Sequence, residues 1–477
     1  MAGKSEASKK GGQMPGATLF ENIWRSHMVR SFGERALIHI DRHFVHEGTS
    51  RNAFDGLRNR KRGVKNLELT FGVIDHDPST LPGRTAQTYE PSRERIGAMQ
   101  ENCREFQLHL FDVNDPGQGI VHVIATEQGI VLPGMTVVCG DSHTATSGGI
   151  GAWGWGIGTT EVERVFATQT LLLPKPKTMR ANFLGRVADG VTAKDLILYL
   201  IGQHGVAVGT GYAVEYAGPA ICAMPVDGRL TICNMSIEFG ARSGMIAPDD
   251  TTIQFFAGRP YAPKGKLWDQ AAAYWRTLQT APDAEFDREM EIDCRKVKPQ
   301  ITWGTSPQEV IGVDERIPDP SEVAAERRAT VAQALAYMGL QPGMTLEGLP
   351  IDYAFIGSCT NSRLSDLKAA AAVIKGRKVP ETVTALVVPG SSQVKAAAEA
   401  AGLDRIFKDA GFQWRESGCS MCQTLGGDFV PSGQRCISTS NRNFEDRQGP
   451  RSRTHLASPA MVAAAAVHGR IVDVRRV

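Results

Sequence analysis

Three cysteines stand where thiolate chemistry is possible: Cys359 in Ile-Gly-Ser-Cys-Thr-Asn-Ser (356–362), and Cys419 and Cys422 in Gly-Cys-Ser-Met-Cys (418–422). An iron–sulfur cubane is normally held by four thiolates, so three would leave one iron open to water or substrate. An open position separates a catalytic metal centre from a structural one. The Cys-x-x-Cys pair alone is a weak sign, readable as a redox pair, part of a zinc site or two small residues in a turn. A zinc site would want a fourth ligand at close spacing, and Cys436 sits instead in a strand-like run, Arg435-Cys-Ile-Ser. Cys103, Cys139, Cys222, Cys233, Cys294 and Cys436 read as small apolar core residues.

Histidines and carboxylates form a second set. Asp75-His76 follows Val73-Ile74, Asp141-Ser-His143 follows the apolar run Met135–Cys139, and His122 ends Gly-Ile-Val-His (119–122). Two acid–histidine pairs at strand ends suit imidazoles oriented and made more basic by a carboxylate, as proton transfer requires. Satisfied loop hydrogen bonding is the plainer explanation. Arg442 and Arg447 lie in Asn441-Arg-Asn-Phe-Glu-Asp-Arg447, a polar segment after a strand. Forked guanidinium groups bind carboxylates through two bonds, which suits a di-acid, although a solvated pair is by itself the commoner reading. Asn234 and Glu238 are four apart and would share a helix face, or serve as an ordinary cap and surface acid.

The elements that must position these groups are short. Fifty glycines and 25 prolines punctuate 477 residues, the pattern of an α/β chain with many strand-to-helix turns. Strand-length runs are Met135–Cys139, Tyr353–Ile356 and Val383–Val388. Helical patterns cover Thr159–Leu172, Lys194–Gly202 and Gln393–Gly402, and a last helix is marked by Ser458 as N-cap, Pro459 at its first position and Gly469 as its stop. Composition shifts at Pro174–Arg180 and Asp283–Thr305 suggest domain boundaries. The expected division is a disordered tail at 1–17, then α/β domains at 18–180, 181–290 and 291–477, the last carrying the cysteines. The tail is Gly, Ser and Lys rich without the apolar centre of a signal peptide. No apolar run approaches the roughly 18 residues of a membrane helix. Lys and Arg number 53 against 51 Asp and Glu, so no basic field favours nucleic acid. Nine unsecreted cysteines point to a reducing cytoplasm.

Taken together, the segments resemble the aconitase superfamily, most closely its isopropylmalate isomerase branch, from Leu19 to Val477. The carriers begin with Asp-Arg-His-Phe-Val-His-Glu (41–47), Ile-Asp-His (74–76), Gly-Ile-Val-His (119–122) and Cys-Gly-Asp-Ser-His-Thr-Ala-Thr (139–146). Ile-Cys-Asn-Met-Ser-Ile-Glu (232–238), Gly-Ser-Cys-Thr-Asn-Ser-Arg (357–363) and Gly-Cys-Ser-Met-Cys (418–422) follow. Thr-Ser-Asn-Arg-Asn-Phe (439–444) and Arg-Thr-His-Leu (453–456) complete them.

The resemblance implies three α/β/α domains around a central cleft. It implies a [4Fe–4S] cluster on Cys359, Cys419 and Cys422, acting as a Lewis acid. His76, oriented by Asp75, would donate the proton to a departing hydroxyl. His122, Asp141, His143 and Glu238 would bind water at the iron, with Asn234 in the same shell. Arg442 and Arg447 would hold substrate carboxylates, with Asn441, Ser142 and Asn52 beside the substrate. The expected reaction interconverts 2- and 3-isopropylmalate in leucine biosynthesis. A swivelling domain with its serine base is expected on a separate small subunit, since Gly390-Ser-Ser-Gln393 lacks the arginine of the family's serine loop.

Departures from the family pattern are Asn52 for a usual glutamine, Ser147-Gly-Gly-Ile-Gly151 followed by Trp153 and Trp155, and Asp446 beside Arg447. They leave room for an isomerase of another alkyl- or arylmalate. A cluster-bearing RNA-binding regulator is the alternative of a different class.

Overall fold

The computed structural model describes residues 16–477, so residues 1–15 of the expected tail lie outside the described residues. Gly16 and Ala17 are tied down: the Gly16 N–H donates to Asp283 at 3.1 Å, and the buried Ala17 accepts from the Ala281 N–H at 2.9 Å. Thr18 then opens the Leu19–His27 helix with a capping box to Glu21.

The fold is α/β, as expected, and rests on parallel sheets. In the first, the order is His109–Phe111, Thr70–Val73, Arg42–His46, Thr136–Cys139, Trp153–Gly156. The second runs Ser243–Met245, Tyr212–Ala217, Lys177–Leu184, Arg288–Asp293. The third runs Gln413–Trp414, Thr384–Val387, Tyr353–Ile356, Arg435–Ser438, Arg453–Leu456. Helices cover these sheets, which is why strands such as Thr384–Val387 and Tyr353–Ile356 are continuous apolar runs rather than alternating ones. Each sheet has its own large apolar cluster.

First and third sheets share one winding. The chain starts at the central strand, adds strands outward on one side, then crosses to the other. Such a reversal leaves a crevice at the carboxyl ends of the two strands that flank it, the usual binding place in open α/β sheets. In the first sheet that crevice lies beyond His46 and Cys139. In the third it lies beyond Ile356 and Ser438.

Several expected elements shift. The Thr159–Leu172 helix stops at Thr168: Gln169 turns left-handed (φ 58°), and Thr170–Pro174 becomes a strand antiparallel to Arg35–His39. The Leu171–Leu173 run gains more from that pairing than from another helical turn. Lys194–Gly202 lengthens to Ala193–His204, and Gln393–Gly402 becomes Ser392–Ala400. The final helix is Pro459–His468 with Gly469 at φ 65°, but the Ser458 hydroxyl makes no cap bond; only its extended backbone starts the helix. Pro174–Arg180 and Asp283–Thr305 contain strand residues rather than bare linker. The expected boundaries after 180 and 290 fall inside Lys177–Leu184 and Arg288–Asp293, which pair with each other. Among the described residues, no helix is long and apolar enough to cross a membrane.

Candidate active site

Asp141 is the hub. It follows the strand Thr136–Cys139 and caps the turn of 3-10 helix Ser142–Ile150, accepting the His143 N–H at 2.7 Å. One carboxylate oxygen lies 3.0 Å from His122 Nε2 and 3.4 Å from His143 Nδ1; the other lies 3.2 Å from His76 Nε2. His76 Nδ1 in turn sits 2.5 Å from Asp75 Oδ1. At the far end, His143 Nε2 is 3.1 Å from Glu238 Oε1, which also accepts from Arg442 Nε at 2.8 Å. Arg442 Nη2 donates to Ser142 Oγ at 3.0 Å. One hydrogen-bonded chain thus joins Asp75 to Ser142.

Water is nearly excluded here, so pairing decides charge. Burial opposes a charged His76, yet the Asp75 charge and bonds to Asp141 and Asp75 outweigh it and hold His76 well above the usual histidine range. Burial likewise opposes ionised Asp141, but His122, His143 and His76 hold it well below the ordinary carboxylate. His143 is raised to about 9 against its own burial, chiefly by the Glu238 charge. The geometry therefore keeps imidazolium groups between carboxylates, an arrangement that can hold and hand over protons.

The thiols gather opposite. Cys359 follows the strand Tyr353–Ile356 through Ser358, which is left-handed at φ 76°. Cys419 and Cys422 bracket the tight turn Ser420–Cys422. All three are buried, free of disulfides and packed with Ile120 and Val123. Amide and hydroxyl groups reach the sulfurs: Asn234 Nδ2 to Cys359 at 3.1 Å, Asn441 Nδ2 to Cys359 at 3.5 Å, and Ser358 Oγ to Cys422 at 3.5 Å. Thr360 Oγ1 donates to Asn234 Oδ1 at 2.7 Å, which turns that amide nitrogen toward the sulfur. The Cys419 N–H donates to the Asp75 carbonyl at 3.0 Å, so thiol loop and histidine loop are stitched together.

Among the described residues, one group of histidine and carboxylate atoms gathers within 4.8 Å as ligands of a single ion would: His46, Glu47, Asp75 and His76. Its carboxylates already accept backbone and imidazole N–H groups. The three thiols are not so closely gathered, which fits a wider group better than one zinc ion.

A protein-family model described as the aconitase family (aconitate hydratase) matches residues 21–469. The 3-isopropylmalate dehydratase large subunit 1 of Bradyrhizobium diazoefficiens is 57% identical over 463 residues, covering 96% of this chain and 97% of that protein. The chain belongs to the aconitase family. Among solved structures, holo-form aconitase X of Thermococcus kodakaraensis aligns over 85% of this chain and 84% of that one, with 11% identity and a TM-score of 0.46.

In this aconitase-family chain the structure brings together Asp75, His76, His122, Asp141, Ser142, His143, Asn234, Glu238, Asn441 and Arg442, with Cys359, Cys419 and Cys422 alongside. Arg447 reaches the same place, its Nη2 3.9 Å from Cys422 Sγ. Asn52 does not join them: it is exposed in the first turn of the Arg51–Asn59 helix, and its side chain makes no hydrogen bond to the described residues. Asn234 and Glu238 share no helix; Asn234 ends Val226–Asn234, and Glu238 lies in the turn beyond. Cys222 is exposed at the end of the short Pro219–Cys222 helix, whereas the other expected core cysteines are buried. Asp446 turns away from the arginines, accepting the Arg451 N–H at 2.6 Å.

Two groups escaped the sequence reading. Glu47 binds the backbone behind Asp75 and His76. Lys194, fully buried, donates to the carbonyls of Thr439 and Ser440 and so shapes the loop that presents Asn441 and Arg442. No local pattern marks the role of either, because their partners are backbone groups.

Proposed function

We propose that this chain is the large subunit of a hydro-lyase that interconverts 2- and 3-isopropylmalate by dehydration and rehydration, serving leucine biosynthesis in a reducing cytoplasm. The observation that carries the reading is the continuous chain from Asp75 to Ser142, stitched to three buried thiols. The 57% identical relative supplies the substrate.

Cys359, Cys419 and Cys422 would hold a [4Fe–4S] cluster: their thiols are buried and unpaired, and amide groups aimed at sulfur favour the thiolate. When bound, such a cluster supplies a Lewis acid for the hydroxyl and a carboxylate of the malate. His76 holds a proton at Nε2 while Asp75 fixes its Nδ1, so the ring can deliver that proton to a departing hydroxyl. Asp141 keeps His122 and His143 facing the same space. Arg442 and Arg447 supply positive charge for carboxylates, and the Arg442–Ser142 bond sets the angle of one guanidinium.

The base for the α-proton belongs on a small subunit with the swivelling domain. Ser391 supports this, because its hydroxyl is occupied as the cap of the Ser392–Ala400 helix, accepting the Val394 N–H at 2.9 Å. By its sheets the chain divides near 176 and 294, with Ile253, Phe256, Ala272, Trp275 and Leu278 packing back into the first sheet's apolar cluster. Anaerobic purification with a cognate small subunit, followed by assay on isopropyl-, methyl- and benzyl-substituted malates, tests the reading. Preference for isopropylmalate, with no turnover by the isolated chain, is the expected result. Robust turnover by this chain alone, or preference for another malate, overturns it.

A further inference from the structure

Glu47 is the first residue after Arg42–His46, the central strand of the first sheet, and it is 3% exposed. Its Oε1 accepts the N–H groups of His76 and Asp77, both at 2.7 Å, and its Oε2 accepts that of Asp75 at 3.3 Å. Three successive amides of the neighbouring loop therefore converge on one carboxylate. The adjoining His46 ring stacks on the His76 ring at 4.3 Å and 23°. His46 itself is anchored: its Nδ1 accepts the Gly48 N–H at 3.2 Å, and its Nε2 lies 3.0 Å from Thr49 Oγ1.

We infer that Glu47 is a positioning residue, whose grip on the 75–77 backbone, with His46 as a backing plate, fixes where His76 holds its proton. The inference rests on the function proposed above. A side-chain carboxylate does here what no sheet hydrogen bond does: the Ile74 N–H still bonds the Phe111 carbonyl of the neighbouring strand at 3.1 Å, and the amides of Asp75, His76 and Asp77 beyond it turn to Glu47 instead. Successive amide N–H groups pointing to one centre make a natural anion cradle, and Glu47 fills it from within the protein. The groups facing it are Asp75, His76, Asp77 and His46, with Arg95 beyond, paired to Asp77 at 2.5 Å. A cationic Arg95 and His76 offset the crowding of carboxylates. An ion in place of this grip would need lone pairs that the three amides already occupy.

The test uses the holoenzyme, this chain with its small subunit and cluster, carrying Glu47→Gln or Glu47→Ala. Hydrogen exchange followed by mass spectrometry on the 74–80 peptide gives a readout independent of turnover. Amides 75–77 should exchange at least about tenfold faster in Glu47→Gln, with the rest of the first sheet unchanged. The kcat per cluster should fall about tenfold in Glu47→Gln and about a hundredfold in Glu47→Ala, with KM within about twofold, because a displaced proton donor slows chemistry without loosening carboxylate binding. Unchanged exchange at 75–77 overturns the inference, as does faster exchange with unchanged kcat per cluster. Should either variant fail to fold or load its cluster, Glu47→Asp is judged by the same criteria, its shorter arm being unable to span all three amides. If the wild-type holoenzyme turns over no isopropylmalate, the functional reading falls, while the exchange data still decide whether Glu47 holds the loop.

Discussion

In the first sheet the chain starts at Arg42–His46, winds outward through Thr70–Val73 and His109–Phe111, then returns to Thr136–Cys139; in the third it repeats that course from Tyr353–Ile356 to Arg435–Ser438. The crevices are alike and their contents are not. Beyond the first sheet, carboxylates and imidazoles satisfy one another, so the geometry stands without a ligand. Beyond the third, burial, reinforced by Cys422, pushes the Cys359 thiol up to about 12, and burial with the nearby Asp75 charge also raises Cys419 well above the ordinary thiol range. Such thiols become ligands only when a metal displaces their protons. One half of the site is held by its own charge pairing, and the other is a set of buried free thiols.

Removing a thiol should break the second half alone. Cys359→Ser, Cys419→Ser and Cys422→Ser should each abolish cluster absorbance in the visible range and all turnover, while the fold of the first sheet persists. Cys139→Ser and Cys436→Ser, both in strands and away from the sulfurs, should keep the cluster. Equal cluster loss at Cys139 or Cys436 would contradict the assignment.

Asp141→Asn attacks the charge-paired half. It replaces a hub shared by His76, His122 and His143 with an amide that can accept on one side only. Loss of proton transfer should lower kcat about a thousandfold, within the usual range for a lost acid–base group. Cluster absorbance should remain. A variant with normal kcat would show that the imidazoles work without their shared acid.

Charge pairing also predicts a pH window. His143 is raised to about 9, with Glu238, Asp141 and Arg442 around it, against about 6.5 in an unfolded chain. A raised histidine stabilises the fold fully below the unfolded value and loses that contribution as pH climbs through the folded one. The gap in unfolding free energy between wild type and His143→Gln should therefore be largest near pH 6 and shrink by about 3 kcal/mol on going to pH 10. Chemical denaturation across that range measures it; a gap that widens with pH would reverse the assigned charge state.

Much of this was legible in the sequence because active groups sit immediately after apolar strand runs. Asp75-His76, Asp141-Ser-His143 and Gly-Ser-Cys359 sit at strand ends that the apolar runs alone mark. Glu47 was not legible as a working group, since its partners are backbone amides, which leave no trace in side-chain pattern. Lys194 was missed for the same reason. The Thr159–Leu172 helix failed because helical period continues across Gln169, while the competing strand pairing lies more than a hundred residues upstream. Which strands flank each crevice is likewise a long-range fact.

The departures from the family pattern give the smallest expected effect. Gly148 and Gly149 are packed against the second-lobe backbone: a Cβ at Gly148 would lie 1.6 Å from the Gly244 carbonyl oxygen, and one at Gly149 would lie 2.6 Å from the Leu230 nitrogen. Trp153 and Trp155 stack on each other at 4.2 Å, and Trp153 meets Phe20 edge-on at 5.2 Å, so these rings fill the core beside the first helix. Asn52 is exposed. None of these residues makes a hydrogen bond to the acid–base chain, and the glycines and tryptophans pack in the interior. Asn52→Gln adds one methylene on a solvated helix turn, a change normally confined to about 0.5 kcal/mol. Ratios of kcat/KM among isopropyl-, methyl- and benzyl-substituted malates should then move by no more than about twofold. A tenfold shift, which needs about 1.4 kcal/mol of differential binding, would place Asn52 against the substrate in the assembled enzyme and return specificity to this edge of the first sheet.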